Sequence, residues 1–437
     1  MLSSRPDLPI RTWPRSQHGQ RAFRACGLLL LLLALGGCQS VPLLRRQTLH
    51  VMLTLSPGLE WLEADYRGGR SWGPLLRSFR RLHPEARVQF SLVAEADLAK
   101  ELQRSHRRGL GPDLLLVRAP VAIELLQQGL VIPLPHTPEL QASLATLESR
   151  ALHAVETPRG LAGLPVFSEP SLACYDRQRI LEPPATTDAL LALAAGGQPI
   201  GLAVDPVGLW WSVGALGARQ ALAPLLTGLK VPAQAQDQAA DRQAILGWLY
   251  WLRQASQQSR VDLAAGPEEL TQGLESGRLA WIPCFSIAIP RLERTMGQRL
   301  GVATLPAGPG GPPSPFSTLR VWAFGADSSG QQRQLAMDLA RFTLDPGVQR
   351  SFTLRNQILV PANRYAPIPV ASSGRLATLA KTQQQAQQLA PIREPSFTSP
   401  RIRRILPRVE SVMDQVMEGV LTPDQGTEVL LKLEAEP

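Results

Sequence analysis

Cysteine is scarce in this chain: four in 437 residues are too few for a disulfide scaffold. Histidine is scarce too. His18, His50, His83, His106, His136 and His153 are scattered, with no H-x-x-x-H pair and no C-x-x-C, so nothing supports a zinc site. No G-x-x-x-x-G-K-[ST] loop is present to cradle a nucleotide. Only one long apolar run exists, which excludes a multi-pass membrane protein. Acidic residues are outnumbered, 36 against 45 basic, which invites a nucleic-acid reading. That reading fails on pattern. The basic clusters Arg80-Arg81, Arg107-Arg108 and Arg403-Arg404 are short and have no interleaved aromatics. What the chain does have is 44% hydrophobic and 19% charged residues, the balance of a folded globular protein. Its length suits two or three domain-sized units.

Arg5, Arg11, Arg15, Arg21 and Arg24 precede an apolar stretch at 25–35, about half of what crosses a bilayer. The stretch ends in Leu35-Gly36-Gly37-Cys38. A basic segment, an apolar segment and small residues before a cysteine resemble the signal and lipobox of bacterial lipoproteins. The resemblance implies that residues 1–37 are a signal peptide and that Cys38 is lipidated, with 38–47 as anchor and tether. Acyl chains hold firmly, since each buried methylene contributes about 0.8 kcal/mol. Cleavage before Cys38 leaves 40 basic against 35 acidic residues, so the charge drops from +9 to +5.

The segment that follows alternates strand and helix. Val51, Leu53 and Leu55 alternate as a strand, a loop covers 57–73, and Leu75, Leu76, Phe79 and Leu82 recur at helical spacing. Val88, Phe90 and Leu92 mark a second strand, and Leu98 and Leu102 a helix. Asp113-Leu114-Leu115-Leu116-Val117 reads as a strand buried on both faces, followed by a helix closed at Gly129. This is βαβαβα, which predicts an open parallel sheet with ligand sites beyond the strands' carboxyl ends. Residues 174–317 are richer in helix, with short strands at 200–204, 279–282 and 302–305. A strand at 321–324 and a helix at 334–344 follow, and the tail 405–433 is helical, broken near Pro423.

Four landmarks in order carry a resemblance. They are Gly111-Pro112-Asp113-Leu114-Leu115-Leu116 with Gly129-Leu130-Val131-Ile132-Pro133-Leu134; Gly163-Leu164-Pro165-Val166 with Leu172-Ala173-Cys174-Tyr175-Asp176 and Glu182-Pro183-Pro184-Ala185-Thr186; Gly277-Arg278-Leu279-Ala280 with Leu300-Gly301-Val302; and Phe342-Thr343-Leu344-Asp345-Pro346-Gly347 with Leu359-Val360-Pro361-Ala362. Each is weak alone. Their order and spacing resemble the family 1 extracellular solute-binding proteins of bacterial ABC importers, the maltose-binding type, in lipoprotein form.

The resemblance implies an α/β, two-lobed periplasmic-binding-protein fold (type II) with a ligand cleft between the lobes. It implies a first lobe of 48–166 and 318–368, a second of 174–317 and 374–437, and a hinge near 167–173, 317–321 and 368–374. The implied function is capture of a small solute, a carbohydrate or polyol first, and delivery to ABC permease subunits in the membrane. The implied protein is a monomer at the periplasmic or extracellular face, without enzymatic activity, cofactor, metal or nucleic-acid partner. A receptor for a phosphate ester or polyamine, a non-transport lipoprotein and a periplasmic hydrolase on the same fold remain alternatives.

Sugar sites combine flat aromatic faces with polar groups for hydroxyls. Glu169 has the spacing of a hinge glutamate that reaches ligand in maltodextrin-binding relatives, which makes it the first polar candidate. Trp210 and Trp211 follow Asp205-Pro206, and at most one of these adjacent rings is expected at the cleft, Trp210 before Trp211. Phe167, Ser168, Phe285 and Ser286 follow strand ends and are candidate rim contacts; Trp61 and Trp72, in the first long loop, are candidate caps. Arg118 stands where the relatives place polar and acidic contacts, and suits a carboxylate, a phosphate or sugar hydroxyls. The relatives' stacking tryptophan after Gly277 is absent, Ile287 falling at its position, so maltodextrin itself is disfavoured. For Cys174 and Cys284 both a disulfide and two buried thiols are open, thiols being the simpler expectation.

Overall fold

The computed structural model describes residues 47–55, 72–227, 238–264, 266–387 and 400–435. Cys38 and Trp61 lie outside the described residues.

Fourteen strands occur among these residues: β1 Gln47–Leu55, β2 Ala86–Ala94, β3 Leu114–Arg118, β4 Val131–Ile132, β5 Glu156–Thr157, β6 Gly160–Leu161, β7 Leu164–Glu169, β8 Ser171–Asp176, β9 Ile200–Ala203, β10 Val261–Ala264, β11 Trp281–Phe285, β12 Leu300–Ala303, β13 Thr318–Gly325 and β14 Val360–Pro361. Seven make one sheet, in the order β14-β7-β13-β3-β1-β2 with β4 also on β13. Five make a second sheet, β10-β9-β11-β8-β12, and β5 and β6 form a hairpin.

The first sheet is mixed rather than parallel. β1, β2 and β3 run parallel, with Leu53 level with Leu92 and Leu116. β13 is antiparallel to both β3 and β7. The parallel expectation holds only where helical crossovers join the strands. β13 returns from the second sheet and enters from the opposite direction.

Local chemistry sets the helix boundaries. Thr186 Oγ1 accepts from the Ala189 N–H at 3.1 Å and caps the helix Thr187–Ala195. Ser329 and Gln332 form a capping box on Gly330–Leu344. Asp345 caps Pro346–Asn356, which ends at Gln357 in the left-handed region (φ 54°). The Gly-Pro-Asp landmark also has a structural job. Asp113 is buried and accepts from the His50 N–H at 2.8 Å and the Ser328 hydroxyl at 2.9 Å, tying β1 to the turn after β13. A Cβ on Gly325 would sit 1.8 Å from the Pro112 carbonyl oxygen, so this close approach requires glycine.

Three buried clusters make the core, and the largest includes side chains from both sheets. Trp72 belongs to it rather than to a cleft rim. It is 2% exposed at the start of the helix Trp72–Leu82, edge-on to Phe90, Trp322 and Phe352. Cys174 and Cys284 are bonded to one another, in place of the two thiols expected. They lie diagonally across the antiparallel pair β8 and β11, with Cα atoms 5.8 Å apart.

Candidate functional site

Strand register decides where the sheets meet. Leu55 is level with Ala94, Arg118 with Arg320, and Glu169 with Thr318. The carboxyl ends of β1, β2, β3 and β7 therefore share one edge with the start of β13. In the second sheet Phe285 is level with Ser171, so the carboxyl ends of β9, β10 and β11 lie at the start of β8. One residue, Pro170, separates β7 from β8. The two carboxyl edges consequently meet at Pro170, and this is the candidate site. The chain returns through 304–317, and again after β14 to the helix Gly374–Gln387, which touches β12 and β14.

The site is built from Glu169, Phe285, Ser286, Arg118 and four residues the sequence reading passed over: Thr54, Glu95, Ser171 and Arg320. Arg320 Nε donates to Glu169 Oε1 at 2.7 Å, and its Nη1 to Thr54 Oγ1 at 3.1 Å. The Thr54 hydroxyl itself donates to the Leu116 carbonyl at 3.2 Å. All three side chains are buried. Arg118 is held in the same way. Its Nε donates to both carboxylate oxygens of Glu95 at 2.9 Å, and its Nη2 also bonds that carboxylate. Glu95 starts the helix Glu95–His106, directly after β2.

On the side of the second sheet, the Ser286 N–H donates to the Pro170 carbonyl at 2.9 Å and joins the end of β11 to the crossing. The Ser286 hydroxyl is fully buried and has no partner. Ser171 Oγ donates to the Phe316 carbonyl at 3.2 Å, and Phe316 stacks on Trp210 with ring centroids 5.1 Å apart.

The other candidate aromatics are packed inside. Trp210 and Trp211 open the helix Trp210–Ala215, and both are buried. Trp211 sits edge-on to Trp251 and Trp281. Phe167 is fully buried and stacked on Phe352. Ser168 is half-buried at its pairing with Val360, and Phe285 is half-buried. One signal for Arg320 was present in the sequence. It is the only charged residue in the strand Thr-Leu-Arg-Val-Trp-Ala-Phe-Gly, which is buried throughout, and a charge buried there needs a counter-charge.

A second electrostatic feature flanks the site. Asp205 follows β9, and its Oδ1 accepts from the Gly208 N–H at 2.7 Å. Burial pushes its carboxyl up, against the pull of the loop N–H groups. Glu410, on the helix Pro400–Glu418, is raised by burial and by the charges of Asp205 and Asp414. Asp414 is itself raised by burial and by Glu418. A carboxyl raised in the folded state favours folding when protonated. Its contribution is full below the ordinary carboxylate range and is lost as pH rises through the folded value. Glu410→Gln is therefore expected to raise the urea midpoint at pH 7.5, with the gain fading as pH falls to about 4. A gain that persists at low pH would assign the effect to packing instead.

A cavity of about 550 Å³ lies elsewhere, between the edge strand β2 and the helix Glu95–His106, and no candidate ligand residue lines it. Residues 69–73, Gly-Arg-Ser-Trp-Gly, match the G-x-S-x-G pattern of serine hydrolases. Ser71 lies outside the described residues, and the neighbouring Trp72 is a core ring. Among the described residues no group of three or more His, Cys, Asp and Glu is placed to hold a metal ion.

No family model matches the chain, and no curated protein matches it in sequence. Solved structures match it in fold. A cyclo/maltodextrin-binding protein complexed with maltotetraose superposes with a TM-score of 0.65 at 17% identity, over 89% of this chain and 96% of that one. The GacH receptor of Streptomyces glaucescens, solved unliganded and with acarbose, gives 0.65 at 16%, over 89% and 99%. The maltodextrin-binding protein MalE1 from L. casei BL23, solved without ligand, gives 0.66 at 15%, over 90% and 100%. The chain has the two-lobed α/β fold of these binding proteins.

Proposed function

We propose that the chain is a lipid-anchored substrate-binding protein of an ABC importer. It captures a small solute, a carbohydrate or polyol, between its lobes and delivers it to a membrane permease. The lobes are 48–166 with 318–368, and 174–317 with 374–437, and Cys38 carries the lipid at the outer face of the membrane. The protein works as a monomer and without enzymatic turnover.

The observation that carries this reading is the meeting of two carboxyl sheet edges at Pro170, with polar side chains from both sides. A solute touching both edges favours the closed arrangement by the contacts it makes only there. The fold is shared with proteins whose names state that they bind maltodextrin, and with a receptor solved with acarbose. The ligand-facing set is Glu169, Ser168, Arg118, Phe285 and Ser286, with Trp61 as a cap. The rings of Phe167, Trp72, Trp210 and Trp211 are buried and belong to the core.

A panel of sugars, polyols, polyamines and phosphate esters tests this. At a hundredfold excess over Kd the cognate solute stabilises the fold by about 2.7 kcal/mol, read as a rise in Tm. It should also shrink the radius of gyration in X-ray scattering. A panel that shifts nothing argues against a receptor, and turnover of any member favours the hydrolase alternative.

A further inference from the structure

Gln47, the first residue of β1, stands nine positions after Cys38. It is level with Ala86, so the amino ends of β1 and β2 share one edge of the first sheet, opposite the carboxyl edge that carries the candidate site. Two helices end at that amino edge. Trp72–Leu82 packs on the face of β1 that carries Leu49, Val51 and Leu53, and Glu95–His106 on the face that carries Met52. Each leads from one parallel strand to the next, so each returns its last turn to the amino edge. Backbone bonds pin both turns beside β1. The Gln47 N–H donates to the Glu85 carbonyl at 2.9 Å, and the Asp113 N–H to the His50 carbonyl at 2.8 Å. The turns are basic and apolar at once. Arg80 and Arg81 close the first helix, Arg107 and Arg108 follow the second, Arg87 lies at the start of β2, and all five are exposed. Among the described residues none of the five forms an ion pair; Arg81 bonds only the Ser78 hydroxyl, at 3.0 Å. Leu82 is 66% and Leu110 73% exposed, one at each turn. Two carboxylates at this edge, Glu85 and Asp327, stand beside His83 and His106 at 3.4 and 2.8 Å.

We propose that this amino edge is a peripheral contact for an anionic phospholipid surface, made by the exposed arginines and leucines of the two turns. The inference rests on the lipid-anchor reading above. Nine residues reach at most about 30 Å, so acylation of Cys38 keeps Gln47 within that distance of the headgroups. A tether this short makes the contact intramolecular, and a weak attraction then suffices. Guanidinium groups meet lipid phosphates with charge and with paired N–H donors. Leucines beside them gain by entering the boundary between headgroups and acyl chains. The two turns sit on opposite faces of the sheet with β1 between them, so the contact is broad enough to fix an orientation. From Gln47 to Leu55, β1 rises about 26 Å toward the candidate site. The contact therefore turns the site away from the lipid, where arriving solute can reach it.

The test places the mature, acylated protein in vesicles that carry a quencher on the lipid and reads a fluorophore on an introduced cysteine. Gln103→Cys reports from the exposed surface near the end of the second helix. Leu181→Cys, 91% exposed beyond the end of β8 that points away from the site, is the control. Each basic residue beside an anionic surface strengthens contact about fivefold. Quenching at position 103 is therefore expected to rise about twofold or more from pure phosphatidylcholine to an equal mixture with phosphatidylglycerol. It should fall back in about 1 M NaCl, where the Debye length is about 3 Å. Position 181 should not respond. Reversing Arg80, Arg81, Arg107 and Arg108 to glutamate should abolish the rise, and lysine at the same four positions should keep most of it. Equal quenching at 103 in the two kinds of vesicle would overturn the proposal, as would a rise that survives the glutamate variant. Loss of self-association in the glutamate variant, with no response to lipid, would give the face to a second copy of the chain instead. Failure of the anchor reading looks different: mass spectrometry then finds no acyl mass on Cys38, whatever the labels report.

Discussion

Replacing Cys174 and Cys284 together by alanine is expected to lower the unfolding free energy by about 4.7 kcal/mol, the loop-entropy value for a crosslink closing about 100 residues. The bond here spans a sequence separation of 110. Without it the unfolded chain gains freedom over the loop between the two cysteines, while the folded state loses only two small buried side chains. Placement adds to the effect. β8 begins directly after Pro170, and β11 ends at Phe285 beside it, so the crosslink holds the two strands by which the second sheet reaches the site. Urea denaturation with and without reductant checks this. Reduced wild type and the alanine pair should converge, and reductant should not move the alanine pair. A midpoint indifferent to reductant would sink the prediction, as would alkylation of both cysteines in unfolded, unreduced protein. A chain stabilised this way gains its full stability only in an oxidising compartment.

Arg320→Leu is expected to cost about 3–5 kcal/mol, because it strands the Glu169 carboxylate in a buried site without its counter-charge. The hydrogen bond to Thr54 Oγ1 is lost with it, and β1, β7 and β13 are no longer tied together at their meeting edge. Glu169→Leu/Arg320→Leu should recover most of the loss, since two apolar groups of similar volume replace a pair whose desolvation is itself expensive. A double-mutant cycle in urea isolates the coupling. A single-variant cost under about 1 kcal/mol, the range of exposed pairs, would show that water reaches the pair.

Much of the fold was legible in the order of apolar residues. The alternation at Val51, Leu53 and Leu55 and the continuous run at 114–117 became β1 and β3, because burial on one or both faces writes itself into local spacing. The tail helix did break just before Pro423. Trp248 and Trp251 proved to be core rings, whereas Tyr250, within the same helical pattern, is half exposed.

The site was less legible. Glu169, Phe285 and Ser286 came together, but Trp72, Trp210, Trp211 and Phe167 went inside. A tryptophan after a loop or a strand end carries no mark of the side on which the next layer will pack. The expected strand at 279–282 also moved to Trp281–Phe285, which brought Cys284 diagonal to Cys174 and closed the disulfide.

Periodicity, capping residues and the Gly-Pro-Asp turn settle which segments are strands and helices, because those choices depend on neighbours a few positions away. Antiparallel entry of β13, the crosslink over 110 residues and the pairing of Glu169 with Arg320 were decided only once the sheets assembled. Charge and burial act through space, and partners 151 residues apart meet by register across a sheet, which local spacing does not encode.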